Sequence, residues 1–403
     1  MDGASYAVDA VGNRTSKTDQ LSGATSNFTY DAIYQLTQAV QGLNTTESYT
    51  YDAVGNRLSS LGASPYSYNS SNELTAKPGV AYTYDSNGNT LTKVDSTGTT
   101  TDAWDFENRL TSVTLPGSGG TVSFKYDPFG RRIQKSSASG TIDYLYDGAN
   151  VIEEVDSSGA VLARYTQGSG LDEPLAELRS GATSYYHADG LGSVTSLSNS
   201  TGALANTYTY DSFGNLSAST GTVTNPLRYT AREFESETGL YYYRARYYDS
   251  GTGRFLGEDP LKVNGVPKNV YGYVLNNPVR YVDPDGLSAH DVRNIENQAR
   301  NDIDAMTGNG QRIDPGWLNN VESSLQHLNP FRKKPPLLGC GQQADRIASD
   351  LQFRRYDDHW DFKVEQDGLF HQRGRATSSN PSDPDIIFDP WYNRVYTVPK
   401  GGK

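Results

Sequence analysis

The sequence predicts a mainly β protein, in which antiparallel hairpins stack into one long sheet ahead of a small α+β domain. Three observations predict it. Tyrosine is over-used, at 29 of 403 residues, and only Tyr356, Tyr392 and Tyr396 lie beyond Leu287. A short motif built on Tyr-Asp recurs along the first half of the chain and then stops. The hydrophobic fraction is 35%, low for a compact α/β enzyme of this length but suited to an extended β architecture. Tyr, Thr and Val fit pleated strands, and the 40 glycines, with many Asn and Asp, fit turns.

Residues 1–226 carry the repeats. The unit is an aromatic, a polar residue, Tyr-Asp, a Gly or Asn turn, and a short apolar strand. Copies read YAVDAVGNRTSKT from Tyr6, FTYDAIYQLTQAV with Tyr30-Asp31, YTYDAVGNRLSSL with Tyr51-Asp52, and YTYDSNGNTLTKV with Tyr84-Asp85. They continue as FKYDPFGRRIQKS with Tyr126-Asp127, YLYDGANVIEEVD with Tyr146-Asp147, and YTYDSFGNLSAST with Tyr210-Asp211. Degenerate copies sit at Tyr68-Asn69 and Trp104-Asp105, and from Tyr6 to Tyr146 successive starts fall 16 to 25 residues apart. That length holds two strands and two turns, hence a β-hairpin. The Asp is expected to accept turn N–H groups rather than to act in catalysis, and Gly-Asn tolerates positive φ. One hairpin cannot bury its own face, so the units must stack. The segment from Tyr185, with His187 and Asp189, breaks the plain pattern, and His187 is expected to be a packing residue.

Residues 227–287 are denser in tyrosine and contain ETGLYYYRARYYDSGTGRF, EDP, NVYGYVLNNPV and DPDGL. Asp259 and Asp283, each followed by Pro, lie 24 residues apart, and a tyrosine-rich hairpin read between them would let them meet in space. If they meet, one carboxyl can stay protonated while the other activates water, as in aspartyl-protease chemistry. The bland reading is two Asp-Pro turns.

The repeats resemble those of the Rhs/YD-repeat proteins, and residues 227–287 resemble the Rhs repeat-associated core domain; together the likeness covers residues 1–287. It implies a spiralling β-sheet shell enclosing a C-terminal toxin, with the core domain as an end plug. It also implies self-cleavage after the DPxGL motif, here after Leu287. By position, Asp259 and Asp283 would be the carboxylate pair and Arg246 the supporting basic residue, with Arg244 and Arg254 as its rivals and Asp285 as a rival to Asp283. Nine or so repeats are few for such a shell, so an open wall is expected.

Residues 288–334 read as a helical linker region. Ile295, Ala299, Ile303 and Met306 keep one apolar face, and Trp317, Leu318, Val321, Leu325 and Leu328 mark a second helix. Residues 335–403 read as the toxin domain, with a helix entered through Gly339-Cys340-Gly341, then strands in WDFKVEQDGLFHQRGRA and PDIIFDPWYNRVYTV. Cys340 at a helix start, His371 and Asp389 have the order of a nucleophile, a base and an orienting acid, with His359 as a rival base. This part resembles the papain-like/transglutaminase-like fold, although no glutamine precedes Cys340 at the position the papain oxyanion donor takes. The resulting expectation is a cysteine hydrolase or acyltransferase acting on protein amides: protease, deamidase or transglutaminase. Two alternatives stand beside it. One is a metal-dependent nuclease using His371, Asp383, Asp385 and Asp389, and the other is a non-enzymatic surface protein.

Net charge is −12, and residues 288–403 carry 15 Lys and Arg against 16 Asp and Glu, so the acidity belongs to the first 287 residues. An acidic body argues against wrapping nucleic acid, and no nucleic-acid partner is expected. The single cysteine, Cys340, rules out an intrachain disulfide. No apolar run approaches the roughly 18 residues of a membrane helix. Met1 leads straight into a repeat without a classical secretory leader, which reads as a piece of a longer reading frame. No cofactor is expected. The expected partners are a cognate immunity protein, a secretion machinery or carrier, and a protein substrate, and the expected location is the cell surface or the secreted state, with delivery to a target cell.

Overall fold

The computed structural model describes residues 3–20, 22–168, 171–260 and 269–287. Beyond these it describes residues 360–366, 372–378, 385–389 and 394–398, and nine helical positions between 299 and 351. The chain forms two compact units, Met1–Ser288 and Ala289–Lys403. Among the described residues no helix is long and apolar enough to cross a membrane.

In the first unit the repeats form strands in strict chain order. A six-stranded antiparallel sheet runs from Ala4–Val8 to Arg57–Ser60, and a sixteen-stranded one from Ser67–Tyr68 to Leu216–Thr220. Each repeat is a hairpin, as the motif predicts, and its Asp organises the turn. At Asp52, the N–H groups of Val54 and Asn56 donate to Oδ1 at 3.0 and 2.8 Å, and Asn56 Nδ2 donates to Oδ2 at 2.9 Å. The same pair of backbone N–H hydrogen bonds to Oδ1 recurs at Asp9, Asp31, Asp85, Asp105, Asp127 and Asp211. The repeated Asp residues are turn-makers. Tyr146-Asp147 departs from the pattern: Asp147 ends a strand that turns at Gly148-Ala149, and the Asp-built turn comes one strand later, at Asp156.

The motif's tyrosine has a second task that spacing alone does not reveal. Its hydroxyl donates to a backbone carbonyl one repeat back: Tyr51 to Leu36 at 2.9 Å, Tyr126 to Leu110 at 2.6 Å, Tyr210 to Val194 at 2.9 Å. Trp104 Nε1 does the same to Thr90 at 2.7 Å. Each ring thus packs along the inner face while its polar tip satisfies a carbonyl.

The wall is not open. Its first hairpin meets a turn near its far end: Lys17 Nζ lies 2.6 Å from Asp189 Oδ2, and Arg14 Nη2 and the Tyr6 hydroxyl bond the backbone of Gly190. Glu47 accepts from the N–H and hydroxyl of Ser212. Residues 227–260 and 269–287 lie inside the ring of turns so formed. Asn277 donates to Asn13, Asn276 to the Gly55 carbonyl, and Tyr271 to the Gly88 carbonyl. Tyr241 and Tyr248 donate to the carbonyls of Gly214 and Phe213. Turn carbonyls left over from the ladder need donors, and a ring of tyrosines supplies them with apolar bodies attached. Tyr229, Tyr241, Tyr243, Tyr248, Phe255 and Tyr273 pack ring against ring, with Tyr248 and Tyr273 centroids 4.5 Å apart. The core segment adds its own four-stranded sheet, from Glu233–Glu235 to Arg254–Phe255.

Several carboxyls are buried in this unit without full compensation. Burial raises Asp102, Glu177 and Asp211 to about 7, and Glu47, beside Asp211, is also raised. The folded state therefore holds protons that the unfolded chain has released above its ordinary carboxyl range. Their stabilising contribution is complete below about pH 4 and is lost as pH rises through about 7. Thermal unfolding at fixed ionic strength should show the first unit losing on the order of a few kcal/mol between pH 5 and pH 8. Asp211→Asn should flatten that slope; an unchanged or opposite slope would contradict the assignment.

In the second unit the described strands form a four-stranded antiparallel meander: Trp360–Gln366, Gln372–Ser378, Asp385–Asp389 and Arg394–Val398. Each segment read from sequence as one strand thus holds two antiparallel strands. Helical Ala299, Ile303 and Met306, expected on one face, are buried with Ile347, Ala348 and Leu351 against Ile386, Phe388 and Val395. Gly374 is required here, because a Cβ would lie 1.8 Å from the Phe388 ring. Residues 311–340, with the second expected helix and Cys340, lie outside the described residues. A papain-like arrangement is therefore not what the described residues establish; they establish strands with helical packing on one face.

Candidate functional site

The structure brings Asp259, Asp283 and Arg246 together. Arg246 sits on the strand Arg246–Asp249, paired in register with Leu240–Tyr243, and its side chain runs under the DPDGL loop. Its Nη2 lies 3.4 Å from Asp259 Oδ2 and 3.4 Å from Asp283 Oδ2. Its Nη1 donates to the Val270 carbonyl at 3.1 Å, and its Nε to the Gly286 carbonyl. The ring of Phe255 lies 3.7 Å from the guanidinium carbon, a contact no sequence signal announced. Burial pulls the Arg246 guanidinium below its usual value, against the opposing pull of Asp259 and Asp283. It remains the cation of the site.

The two acids are not equivalent. The Asp283 side chain is 3% exposed and that of Asp259 is 18% exposed, so water reaches Asp259 more readily. Asp283 Oδ1 accepts the N–H of Leu287 at 3.0 Å. The residue expected to precede the cut is thereby fixed by one of the two expected carboxylates. Gly286 has φ +69, and a Cβ there would stand 2.4 Å from the Tyr243 carbonyl, so only glycine lets the loop lie this close.

The rivals have other partners. Arg244 bonds Asp172 at 2.7 Å and the Pro284 carbonyl, and it lies 3.5 Å from Asp285. Arg254 points to Asn56 and the Asn72 carbonyl. Arg244 and Asp285 thus hold the loop from its other side, and Asp172 ties that arginine, with Arg232, to the wall. Sequence reading also missed Arg132. Fully buried, it faces Glu233 and Glu235 across more than a hundred residues, and Lys135 adds a contact to Glu235 at 2.7 Å.

Most of the other expected site lies outside the described residues. Cys340, His371, His359 and Asp383 lie outside the described residues. Asp389 ends a strand and is buried. Asp385 pairs with Arg375 at 2.7 Å, and Glu365 binds Arg373 and Arg375. Among the described residues no group of three or more His, Cys, Asp and Glu is placed to hold a metal ion.

Comparison with known proteins agrees with the fold and corrects the activity. The teneurin YD-shell family model matches residues 11–279. The tRNA3(Ser)-specific nuclease WapA of Bacillus spizizenii is 37% identical over 273 residues, 64% of this chain and 12% of that protein. The double-stranded DNA deaminase toxin A of Burkholderia cenocepacia is 29% identical over 318 residues, 70% of this chain and 22% of that protein. The probable deoxyribonuclease RhsA of Dickeya dadantii is 31% identical over 201 residues, 46% of this chain and 13% of that protein. The chain spans less than a quarter of the length of each of these relatives.

These relatives are named for action on nucleic acid. That overturns the expectation of a cysteine hydrolase or acyltransferase on protein amides, and with it the exclusion of nucleic acid. The physical reason is twofold. A Cys, His, Asp order along a chain carries no geometry. The acidic charge that argued against nucleic acid belongs to residues 1–287, whereas residues 288–403 are nearly neutral. By its repeats, its ring of turns and the family model that spans both, the chain belongs to the YD-shell family of Rhs/YD-repeat polymorphic toxins.

Proposed function

We propose that the chain is part of a delivered toxin that cuts itself after Leu287, and that the segment so separated acts on nucleic acid. One observation carries the first half: a single arginine holds Asp259, Asp283 and the Gly286 carbonyl, while Asp283 holds the Leu287 N–H. Hydrolysis needs one carboxyl protonated and the other free. The free carboxylate takes a proton from water as its oxygen attacks the Leu287 carbonyl carbon. The bond to the Ser288 nitrogen then breaks, and the protonated carboxyl supplies the proton that nitrogen needs. Arg246 balances the charge of the ionised carboxylate and keeps the loop in register for attack. Asp259, the more exposed acid, suits the role next to water. The test is the mass of the purified chain: a fragment ending at Leu287 and another beginning at Ser288 support the reading, and an uncut chain contradicts it.

The second half rests on the names of the relatives and on the 15 basic residues of 288–403. An enzyme that cuts or deaminates nucleic acid fits both. Purified chain incubated with tRNA and with duplex DNA should cut strands or convert bases in at least one; intact, unaltered substrates would contradict it. Such a toxin implies a cognate immunity protein in the producing cell and a machine or carrier that delivers it.

A further inference from the structure

A cavity of about 190 Å³ lies in the first unit between the wall and the core segment, apart from the Asp259–Asp283 site. Tyr82, Lys93, Thr100 and Asp102 reach it from the sheet, and Thr238 and Asp249 from the core segment. Leu74, Leu240 and Leu256 form apolar wall. Two polar atoms here are buried and lack partners. Asp102 is 5% exposed, and no hydrogen bond reaches its Oδ1. The Tyr82 hydroxyl is likewise unsatisfied. Neither serves the turn or staple pattern of the repeats. Buried carboxylates and hydroxyls are ordinarily bonded, and an orphan pair facing one cavity calls for a ligand that donates hydrogen bonds.

The charges nearby indicate which ligand. Asp249 adds a second carboxylate, with its Oδ1 accepting from Gly251. Lys93 also lines the cavity, but its ammonium lies 3.6 Å from Asp95 and its side chain is 41% exposed. Arg254 is turned to Asn56 and Asn72. The cavity thus offers unmatched acceptors, tyrosine rings and an aliphatic wall, which together suit a cation on a short apolar stem. Its volume is below that of a drug-sized pocket, typically about 300 Å³ or more, and fits a molecule of a few heavy atoms.

We propose that this cavity binds a small primary alkylammonium ion, with Asp102 and the Tyr82 hydroxyl accepting its N–H groups.

Calorimetric titration of the full chain with n-butylammonium chloride, against matched sodium chloride, tests this. Saturable binding is expected, with n-butanol, the neutral isostere, binding at least tenfold more weakly. Asp102→Asn, which keeps size and shape, should weaken binding roughly ten- to hundredfold, the loss expected for a hydrogen bond to a charged group. Tyr82→Phe should weaken it less. Because burial holds the Asp102 carboxyl near 7, affinity should rise between pH 6 and pH 8. No saturable heat, or equal affinity for n-butanol, overturns the proposal without need of any variant. Unchanged affinity in folded Asp102→Asn overturns it too, because the ion is then held without the Asp102 carboxylate.

Discussion

Replacing Asp283 by Asn should leave the chain uncut. Asparagine has the same shape, and its carbonyl oxygen can still accept the Leu287 N–H that Asp283 Oδ1 holds at 3.0 Å. The loop is therefore expected to keep its place while losing one of the two groups that move protons. General acid–base catalysis by such a group contributes about 10²- to 10⁴-fold, so cutting should fall to background on the scale of an expression experiment. Asp259→Asn should do the same. Asp285→Asn is the informative control: Asp285 faces Arg244 rather than Arg246, so this change should leave cutting nearly intact. Arg246→Lys keeps a charge but loses the fork that reaches both acids and the Gly286 carbonyl, and should cut slowly. A denaturing gel with terminal sequencing reads all four. The same two fragments from Asp283→Asn as from the parent chain would sink the assignment.

The largest stability effect is expected at Arg132. Its guanidinium has no solvent exposure and meets Glu233 and Glu235 from the core segment, under the ring of Tyr242 at 4.4 Å. Arg132→Met would leave two buried carboxylates with Lys135 as their remaining cation. Breaking one side of such a pair costs about 3–5 kcal/mol, because the charge left behind is neither paired nor hydrated. Denaturant unfolding of the first unit should show that loss. Adding Glu233→Gln and Glu235→Gln to Arg132→Met should recover much of it, since the uncompensated charge is then gone. A loss under about 1 kcal/mol from Arg132→Met would mean that the core segment is held by its tyrosines rather than by this network.

The site was legible to different depths. Asp259 and Asp283 stood out because Asp-Pro is a distinctive step, and their pairing follows from the loop that carries them. The choice of Arg246 over Arg244 and Arg254 came from likeness to a family, and only the fold supplies a reason. Arg244 lies in the turn before the strand, at a positive φ of 51, and turns to Asp172, whereas Arg246 opens the strand and falls under the loop. The expectations for Cys340, His371 and Asp389 show the opposite case. Their order was suggestive, but order is shared by many arrangements that do no chemistry.

By itself the sequence determined the hairpins, their turns and their order. An Asp that accepts N–H groups two and four residues on, and a Gly free to take positive φ, act within one turn and need no partner elsewhere. The tertiary structure alone decided that the wall curls round, bringing Lys17 to Asp189, and that turns of the wall gather on Tyr271, Asn276 and Asn277. It also decided that Arg132 meets Glu233 and Glu235. Those contacts join residues about a hundred or more positions apart. Their formation depends on the accumulated twist of many strands, a property of the whole sheet that no single repeat records.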